Sequence, residues 1–186
     1  ELEHNGKKIL VGCAVGHLYN LTEKEKPKGD YINFELEWKP SYEISKSSEF
    51  TKKYLDTLIF LSKQSSDFIG SCDLDQEGEV ILFNILRLAC KVKNARRMRF
   101  RTLTKEELIE AYEKPADAID MGLVESGLTR HYADFFYGIN LSRALTLSIK
   151  TTGRFVILST GRVQGPTLKL IVDKELEIRK FKPLPY

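Results

Sequence analysis

Apolar and polar residues follow one another in the order strand, helix, strand, helix over the first half of the chain. A nearly continuous apolar run at residues 8–15 predicts a buried strand, and a shorter run at 67–72 predicts a second one. Between them, apolar residues spaced by three and four positions predict an amphipathic helix over 49–62. A strongly apolar helix is predicted over 80–91. This order is typical of an α/β fold built on a mostly parallel sheet.

Arginine and apolar side chains alternate over residues 96–101, which is the period of a half-buried strand. Arg97, Arg99 and Arg101 therefore share one face of this strand. That face either meets phosphate groups or is solvated, and the pattern leaves both interpretations open.

The residues directly after this predicted strand have the pattern of a helix N-terminus. Thr104 and Glu107 have the spacing of a capping box, and Leu103 is placed to pack against Leu108 as a hydrophobic staple. The helix that begins here is expected to end near Pro115.

The last third of the chain has a mainly helical pattern. Interruptions are expected at Gly138, at Gly153 and over residues 161–166. The last helix is predicted to begin with Pro166 at its first position and to run to about Lys180.

Composition places the chain among globular proteins. Its 186 residues are 42% hydrophobic and 30% charged, and no apolar stretch is long enough to form a spanning helix. A net charge of +3 permits nucleic-acid binding without arguing for it. Three cysteines without a CxxC pair are typical of reduced, structural thiols. We predict an α/β domain over 1–118 and a helical segment over 119–186.

The most informative segment is an acidic turn between the second strand and the apolar helix. It holds four carboxylates within seven residues and no lysine or arginine, at Asp73, Asp75, Glu77 and Glu79. Carboxylates this close repel one another unless a cation compensates them. Oxygen ligands without histidine or cysteine suit Mg²⁺. The turn also leaves the carboxyl end of a strand, where ligands gather in open α/β sheets.

Two other interpretations of the acidic turn are a helix cap and an EF-hand; the first remains open and the second is excluded. A solvated turn that caps the helix would also favour carboxylates at this position. An EF-hand is excluded, because its twelfth position would be Asn84, which has no bidentate carboxylate and falls within the apolar helix.

The acidic turn resembles the second motif of the Toprim domain, which occurs in type IA and type II topoisomerases, primases and some nucleases. Three further segments resemble the type IA DNA topoisomerases in the order of that family: residues 15–18 (VGHL), 130–143 (RHYADFFYGINLSR) and 159–168 (STGRVQGPTL). The Asn-Leu-Ser-Arg ending of the second is most similar to archaeal members. Together these motifs cover the chain.

The resemblance implies a Rossmann-like Toprim domain over 1–118, followed over 119–186 by the start of the helical core. It implies cleavage of one DNA strand, strand passage and religation without ATP. The implied Mg²⁺ ligands are Asp73, Asp75 and Glu77; the implied catalytic residues are Glu77, Arg130 and Arg162; the implied DNA-binding residues are Arg130, Asp134, Arg143, Arg162 and Gln164. Single-stranded or negatively supercoiled DNA is the implied partner of a monomeric, cytoplasmic, nucleoid-associated enzyme.

Physical chemistry allows simpler roles for the two later motifs. Arg130 and Asp134 are four positions apart and can form an ordinary ion pair on a helix surface. The glycine-bounded loop around Arg162 leads into a helix start, where free amides and a guanidinium suit phosphate, but interhelical loops with a surface arginine are also common.

The chain also departs from the family pattern. No tyrosine lies in the Arg-Tyr-Ser or Arg-Tyr-Thr setting of the family's nucleophile, so the chain alone is expected to be inactive. The glutamate of the first Toprim motif has no match either, and Gly165 stands where threonine or serine is usual. Another Toprim protein, such as a primase-like enzyme or nuclease, or a non-catalytic DNA-binding module, remains an alternative.

Overall fold

The fold was analysed in a computed structural model that describes residues 1–4, 6–25, 32–153 and 156–183. The chain forms two compact units. Unit 1 comprises Glu1–Thr22 and Glu37–Arg130, and unit 2 comprises Glu23–Leu36 and His131–Tyr186. Within the described ranges, no helix has both the length and the apolar character that a membrane crossing requires. The domain division between residues 118 and 119 stays a prediction.

Short strands pair two by two. An antiparallel hairpin joins β1 (Leu2–His4) to β2 (Lys7–Ile9), and a second sheet joins β3 (Tyr19–Glu23) to β4 (Leu36–Pro40). In the third sheet, β5 (Ile69–Gly70) runs parallel to β6 (Arg96–Arg97). The fold is thus a mixture of helices and small sheets, in which the parallel pairing expected of an α/β fold is limited to β5 and β6 among the described strands.

The buried strand predicted over residues 8–15 is wrong. Only its first two residues lie in β2, and Val11 is 67% exposed. The rest of the run joins no ladder and is mostly exposed; Ala14 is partly buried against the core, and Gly12 lies close to α2, since a Cβ on it would be 2.5 Å from Leu58 Cδ2. The sequence pattern reported the apolar character of the run but not its partner.

Among the described residues, four α-helices lie entirely in unit 1: α1 (Ser41–Ile44), α2 (Thr51–Ser62), α3 (Gln76–Asn84) and α4 (Lys105–Glu113). A 3₁₀ turn at Lys46–Ser48 precedes α2, and α3 continues as a π-helical turn at Ile85–Cys90. The helices predicted over 49–62 and 80–91 are confirmed, and α4 ends before Pro115 as expected.

Helix α3 and its π-helical continuation lie at the centre of unit 1. Leu82 and Leu86 pack in one hydrophobic cluster with Ala95, Ile119 and Val124. Ile85 packs in a second cluster, which contains Leu18, Tyr19 and Leu55. Helix α3 and its continuation are therefore held by packing in both clusters. This packing also fixes the position of the acidic turn, which leads directly into α3.

Helix α4 begins where the sequence predicts, but by a different contact. Thr104 is the N-cap residue and makes no capping hydrogen bond with its side chain, and Leu103 is 79% exposed, so the capping box and staple are wrong. Instead, the Glu107 carboxylate accepts hydrogen bonds from the backbone amides of Arg101 at 2.6 Å and Thr102 at 3.0 Å. Glu107 thus accepts hydrogen bonds from backbone amides that precede the helix, and not from the amide of the N-cap residue Thr104.

Helix α5 (Met121–Phe135) contains the division between the units. It is followed in unit 2 by a π-helical turn at Phe136–Leu141, by α6 (Ser142–Lys150) and by α7 (Gln164–Lys180). Gly138 lies inside the π-helical turn, so the interruption predicted there is a change of hydrogen-bond spacing between two α-helices and not a break in the helical chain. Gly153 follows the end of α6 and has a φ of 80°, a left-handed conformation that glycine adopts readily.

Helix α7 starts two residues before its predicted start, so Pro166 is its third residue. This position still suits proline, because the first amides of a helix have no partner within it. Before α7, hydroxyls of α6 hold the loop: Leu158 N donates to Thr146 Oγ1 at 3.1 Å, and Thr160 N donates to Ser142 Oγ at 2.9 Å.

Candidate functional site

The acidic turn connects β5 to α3. Asp75 is the N-cap residue of α3, and its Oδ1 accepts a hydrogen bond from Gly78 N at 2.7 Å. The helix-capping interpretation is therefore correct for Asp75. A cap of this kind uses one carboxylate oxygen, and the residue remains exposed.

The main chain at Asp73 is held tightly although its side chain is exposed. Its carbonyl oxygen accepts a hydrogen bond from Arg97 Nη2 at 2.7 Å. The same oxygen lies so close to Gly78 that a Cβ there would be 2.2 Å away. Only glycine fits this approach, which gives the central glycine of the motif a structural reason.

Glu79 does not belong to the exposed carboxylates of the turn. It is fully buried and forms an ion pair with Arg97, whose Nε lies 2.7 Å from Glu79 Oε1. The prediction that Arg97 faces phosphate or solvent is wrong, since its side chain is also 0% exposed. A buried carboxylate requires a cation, and the strand β6 turns this arginine inward to supply it.

Glu77 has two basic neighbours in unit 1. Its Oε2 lies 2.8 Å from His17 Nε2, and its Oε1 lies 3.4 Å from Arg130 Nη1. The structure thus brings together Glu77 and Arg130, which the motifs place 53 positions apart in sequence. The ion pair between Arg130 and Asp134, considered from their spacing, stays a prediction.

Sequence reasoning missed the contact of His17. This residue lies in the Val-Gly-His-Leu segment, which follows the first apolar run, but it has no neighbouring ligand in sequence. Its partner is Glu77, 60 positions away, so no local spacing reveals the pair.

In unit 2, Arg162 makes a two-point contact with Asp134. Its Nε donates to Oδ1 at 2.8 Å and its Nη2 donates to Oδ2 at 3.4 Å. The hydrogen bond that Arg162 donates to the Asp134 carboxylate raises the pKa of this guanidinium. Both residues are about half exposed, and pairs of this kind contribute roughly 1 kcal/mol or less to stability.

The two other predicted DNA-binding residues also lie in unit 2. Arg143 binds Glu23 through both of its terminal nitrogens, with Nη2 at 3.1 Å from Oε2. Gln164 is the exposed first residue of α7 and follows Arg162 and Val163 in the loop. The predicted residues therefore fall into two groups, with Asp73, Asp75, Glu77 and Arg130 in unit 1 and Asp134, Arg143, Arg162 and Gln164 in unit 2.

The carboxylates of the turn have the donor chemistry of a Mg²⁺ site. Asp73 and Asp75 are exposed, Glu77 is partly exposed, and each offers carboxylate oxygen on a turn whose main chain is fixed. Hard oxygen ligands on one or two carboxylates, completed by water, are what Mg²⁺ takes in proteins. The residue types therefore suit this ion. In the part of the chain that the structure describes, however, Asp73, Asp75 and Glu77 do not form a cluster with ligand atoms within 4.8 Å of one another, and Glu77 already contacts His17 and Arg130.

Comparison with known proteins gives consistent matches. The sequence model of a family described as DNA topoisomerase matches residues 118–186. DNA topoisomerase 1 of Methanocaldococcus jannaschii is 48% identical over 100% of this chain and 24% of its own length. DNA topoisomerase 1 of Pyrococcus furiosus is 47% identical over 100% of this chain and 18% of its own length.

A solved structure, full-length topoisomerase I from Thermotoga maritima, has a similar fold. It is 30% identical, with a TM-score of 0.64 over 92% of this chain and 27% of that chain. The chain thus spans about a quarter or less of the length of the curated relatives first matched.

Proposed function

The chain belongs to the type IA DNA topoisomerases, and on this premise we propose that a protein carrying it cleaves one DNA strand, passes another through the break and reseals it without ATP. The observation that carries the proposal is the acidic turn: it presents Asp73 on a fixed main chain, and in the same turn Glu77 contacts Arg130. The proposed domains are a Toprim domain over 1–118 and the start of a helical core over 119–186.

Asp73, Asp75 and Glu77 are the proposed ligands of Mg²⁺. When bound, the ion would supply positive charge next to the phosphate and the hydroxyl that reseals it. Asp75 would use the oxygen that does not cap α3, because Oδ1 is occupied by Gly78 N. Cap and ligand are compatible roles for a carboxylate, which has two oxygens.

Arg130 and Arg162 are proposed to hold the DNA backbone. Arg130 Nη1 lies 3.4 Å from Glu77 Oε1, so its guanidinium lies at the acidic turn, where it would meet a phosphate. Arg162 already meets a carboxylate in the two-point geometry that a phosphate would offer. Asp134 would thus stand in for phosphate when DNA is absent. Arg143 and Gln164 complete the proposed DNA-binding set.

The proposed substrate is single-stranded or negatively supercoiled DNA, and the proposed protein acts as a monomer in the cytoplasm, associated with the nucleoid. Contacts to phosphate carry no sequence information, so binding is expected to be independent of sequence and sensitive to salt.

Relaxation of a negatively supercoiled plasmid tests the proposal. In a protein that carries this chain, Asp73→Asn and Asp75→Asn together are expected to reduce Mg²⁺-dependent relaxation strongly. Asparagine caps a helix as well as aspartate does, so Asp75→Asn removes the charge and keeps the cap. Asp117→Asn is the control, because Asp117 is an exposed carboxylate outside the turn.

Unchanged relaxation in the doubly substituted protein would contradict the assigned metal site. A loss of thermal stability without any change in Mg²⁺ dependence would favour the alternative in which the acidic turn is a structural cap of a DNA-binding module. The 186-residue chain by itself is expected not to relax the plasmid.

A further inference from the structure

The ion pair of Glu79 and Arg97 is completely buried, although Glu79 belongs to the same acidic segment as three carboxylates that are exposed or partly exposed. Both side chains are 0% exposed, and the pair lies directly behind the exposed carboxylates of the acidic turn. Removing two charges from water is costly, and apolar residues of similar size often stabilise a fold equally well. A role in stability alone therefore gives a weak reason for this pair.

The hydrogen bonds of Arg97 connect strand and turn. Nη1 donates to Met98 O at 2.7 Å and, at 3.5 Å, to Gly70 O in β5. Nη2 donates to Asp73 O at 2.7 Å. One guanidinium thus links β6 to the end of β5 and to the first carboxylate residue of the turn, in a fixed planar geometry that lysine does not offer.

Glu79 sets the direction of this guanidinium. Its Oε1 accepts from Arg97 Nε, the one nitrogen that does not reach a backbone carbonyl. Its Oε2 is buried without a hydrogen-bond partner among the described residues, so Arg97 is the group that compensates the carboxylate. The charge of Glu79 thereby keeps Arg97 in the interior, where Nη2 meets Asp73.

We propose that Glu79 is a positioning residue: through Arg97 it fixes the main chain of Asp73 and so places the Asp73 carboxylate for Mg²⁺. This inference rests on the proposed function, because it assigns a support to the same metal site. Partners that orient metal ligands in this way typically affect metal affinity about 10–100-fold when they are removed.

The test is Mg²⁺ binding by the full 186-residue chain, measured by isothermal titration calorimetry, with folding checked by circular dichroism and urea unfolding. Arg97→Lys keeps a charge for Glu79 but cannot also span to Asp73 O, and we expect about tenfold weaker Mg²⁺ binding. Glu79→Gln keeps an acceptor for Arg97 Nε and removes the charge, so a smaller loss in the same direction is expected.

A double variant decides the question if a single variant does not fold. Replacing both charges, as Glu79→Met with Arg97→Met, leaves no unpaired buried ion and is expected to fold. It removes the contact to Asp73 and should again bind Mg²⁺ about tenfold more weakly. Leu86→Ala is the matched control: it destabilises the same helical segment from the core, and its Mg²⁺ affinity should equal that of the parent chain.

Asp73→Asn separates the two levels of the argument. If the parent chain binds no Mg²⁺, or Asp73→Asn binds as well as the parent, the proposed metal site fails. If Asp73→Asn weakens binding while the Arg97→Lys, Glu79→Gln and double variants bind like the parent, the metal site stands and the positioning role of Glu79 is overturned.

Discussion

At the scale of single residues, the chain uses carboxylates for three different purposes within a short distance. Asp75 caps a helix, Glu79 is buried against an arginine, and Glu77 contacts His17 and Arg130. Sequence alone presents these residues as one acidic cluster. Which role each carboxylate has depends on its position at the start of α3.

Glu107 provides a pH-dependent test at this scale. Hydrogen bonds from Thr102 and Arg101 lower the pKa of Glu107 below its ordinary value of 4.5. Its contribution to stability is therefore present above the ordinary pKa and is lost as the pH falls through the lowered one. We expect Glu107→Gln to lower the melting temperature at pH 7, and the difference from the parent chain to vanish in acid.

Glu106→Gln is the control for this pH series. Glu106 is also in the first turn of α4 and shares the effect of the helix dipole, but its side chain is exposed. An equal effect of both substitutions at every pH would show that the hydrogen bonds of Glu107 contribute nothing specific.

At the scale of elements, glycines set the distances around α3. A Cβ on Gly70 of β5 would lie 2.1 Å from Leu82 Cδ2, and one on Gly127 of α5 would lie 2.5 Å from Val80 Cγ2. Gly78 allows the close approach of Asp73 O in the acidic turn. The three glycines thus allow α3 to lie close to β5, to the acidic turn and to α5. The sequence shows these glycines but not what each of them faces.

Gly127→Ala tests the contact between α3 and α5. The added Cβ would also lie 2.8 Å from Gln76 O, a backbone atom that cannot move without shifting α3. We expect a loss of about 1–3 kcal/mol in the free energy of unfolding, measured with urea. Gly138→Ala is the control, because no atom lies within 4 Å of its added Cβ, and alanine in a helix should gain up to about 1 kcal/mol. Equal stability of the Gly127→Ala and parent chains would mean that the two helices are farther apart.

At the scale of the whole molecule, attraction to DNA would depend on what individual basic side chains contact rather than on the net charge. There are 29 basic and 26 acidic residues, so the net charge alone gives little attraction to DNA. Basic side chains of the proposed site are paired with carboxylates, as in Arg162 with Asp134 and Arg143 with Glu23. DNA binding would exchange these carboxylates for phosphates.

This exchange predicts a specific salt dependence. For binding of the chain to a single-stranded oligonucleotide, measured by fluorescence anisotropy, Arg162→Gln should weaken binding for all sequences alike. It should also reduce the slope of log K against log salt by about 1. Lys169→Gln removes the same charge from an exposed site on α7 and should leave the slope nearly unchanged. Identical slopes for both variants would contradict a phosphate contact at Arg162.

Local signals predicted the helices and the acidic turn well, because residue spacing and prolines act within a few residues, although the capping contacts predicted for α4 were wrong. Local signals failed where the partner is distant. The apolar run at 8–15 needed a neighbour that the pattern could not supply, and the alternation at 96–101 could not show that Arg97 turns inward toward Glu79, 18 positions earlier. The Mg²⁺ and DNA roles of the site residues stay predictions, since they depend on partners outside the chain.

The π-helical turn at Phe136–Leu141 has a consequence for how such sequences vary. A π-helical turn spans one more residue between hydrogen-bonded groups than an α-helical turn does, so it accommodates a single inserted residue within an otherwise regular helix. Homologous chains that differ by a one-residue gap at this place would therefore keep the helix on both sides. An alignment that forces the gap into a neighbouring loop would shift every residue between them by one position and would mispair Asp134 or Arg143 with its counterpart.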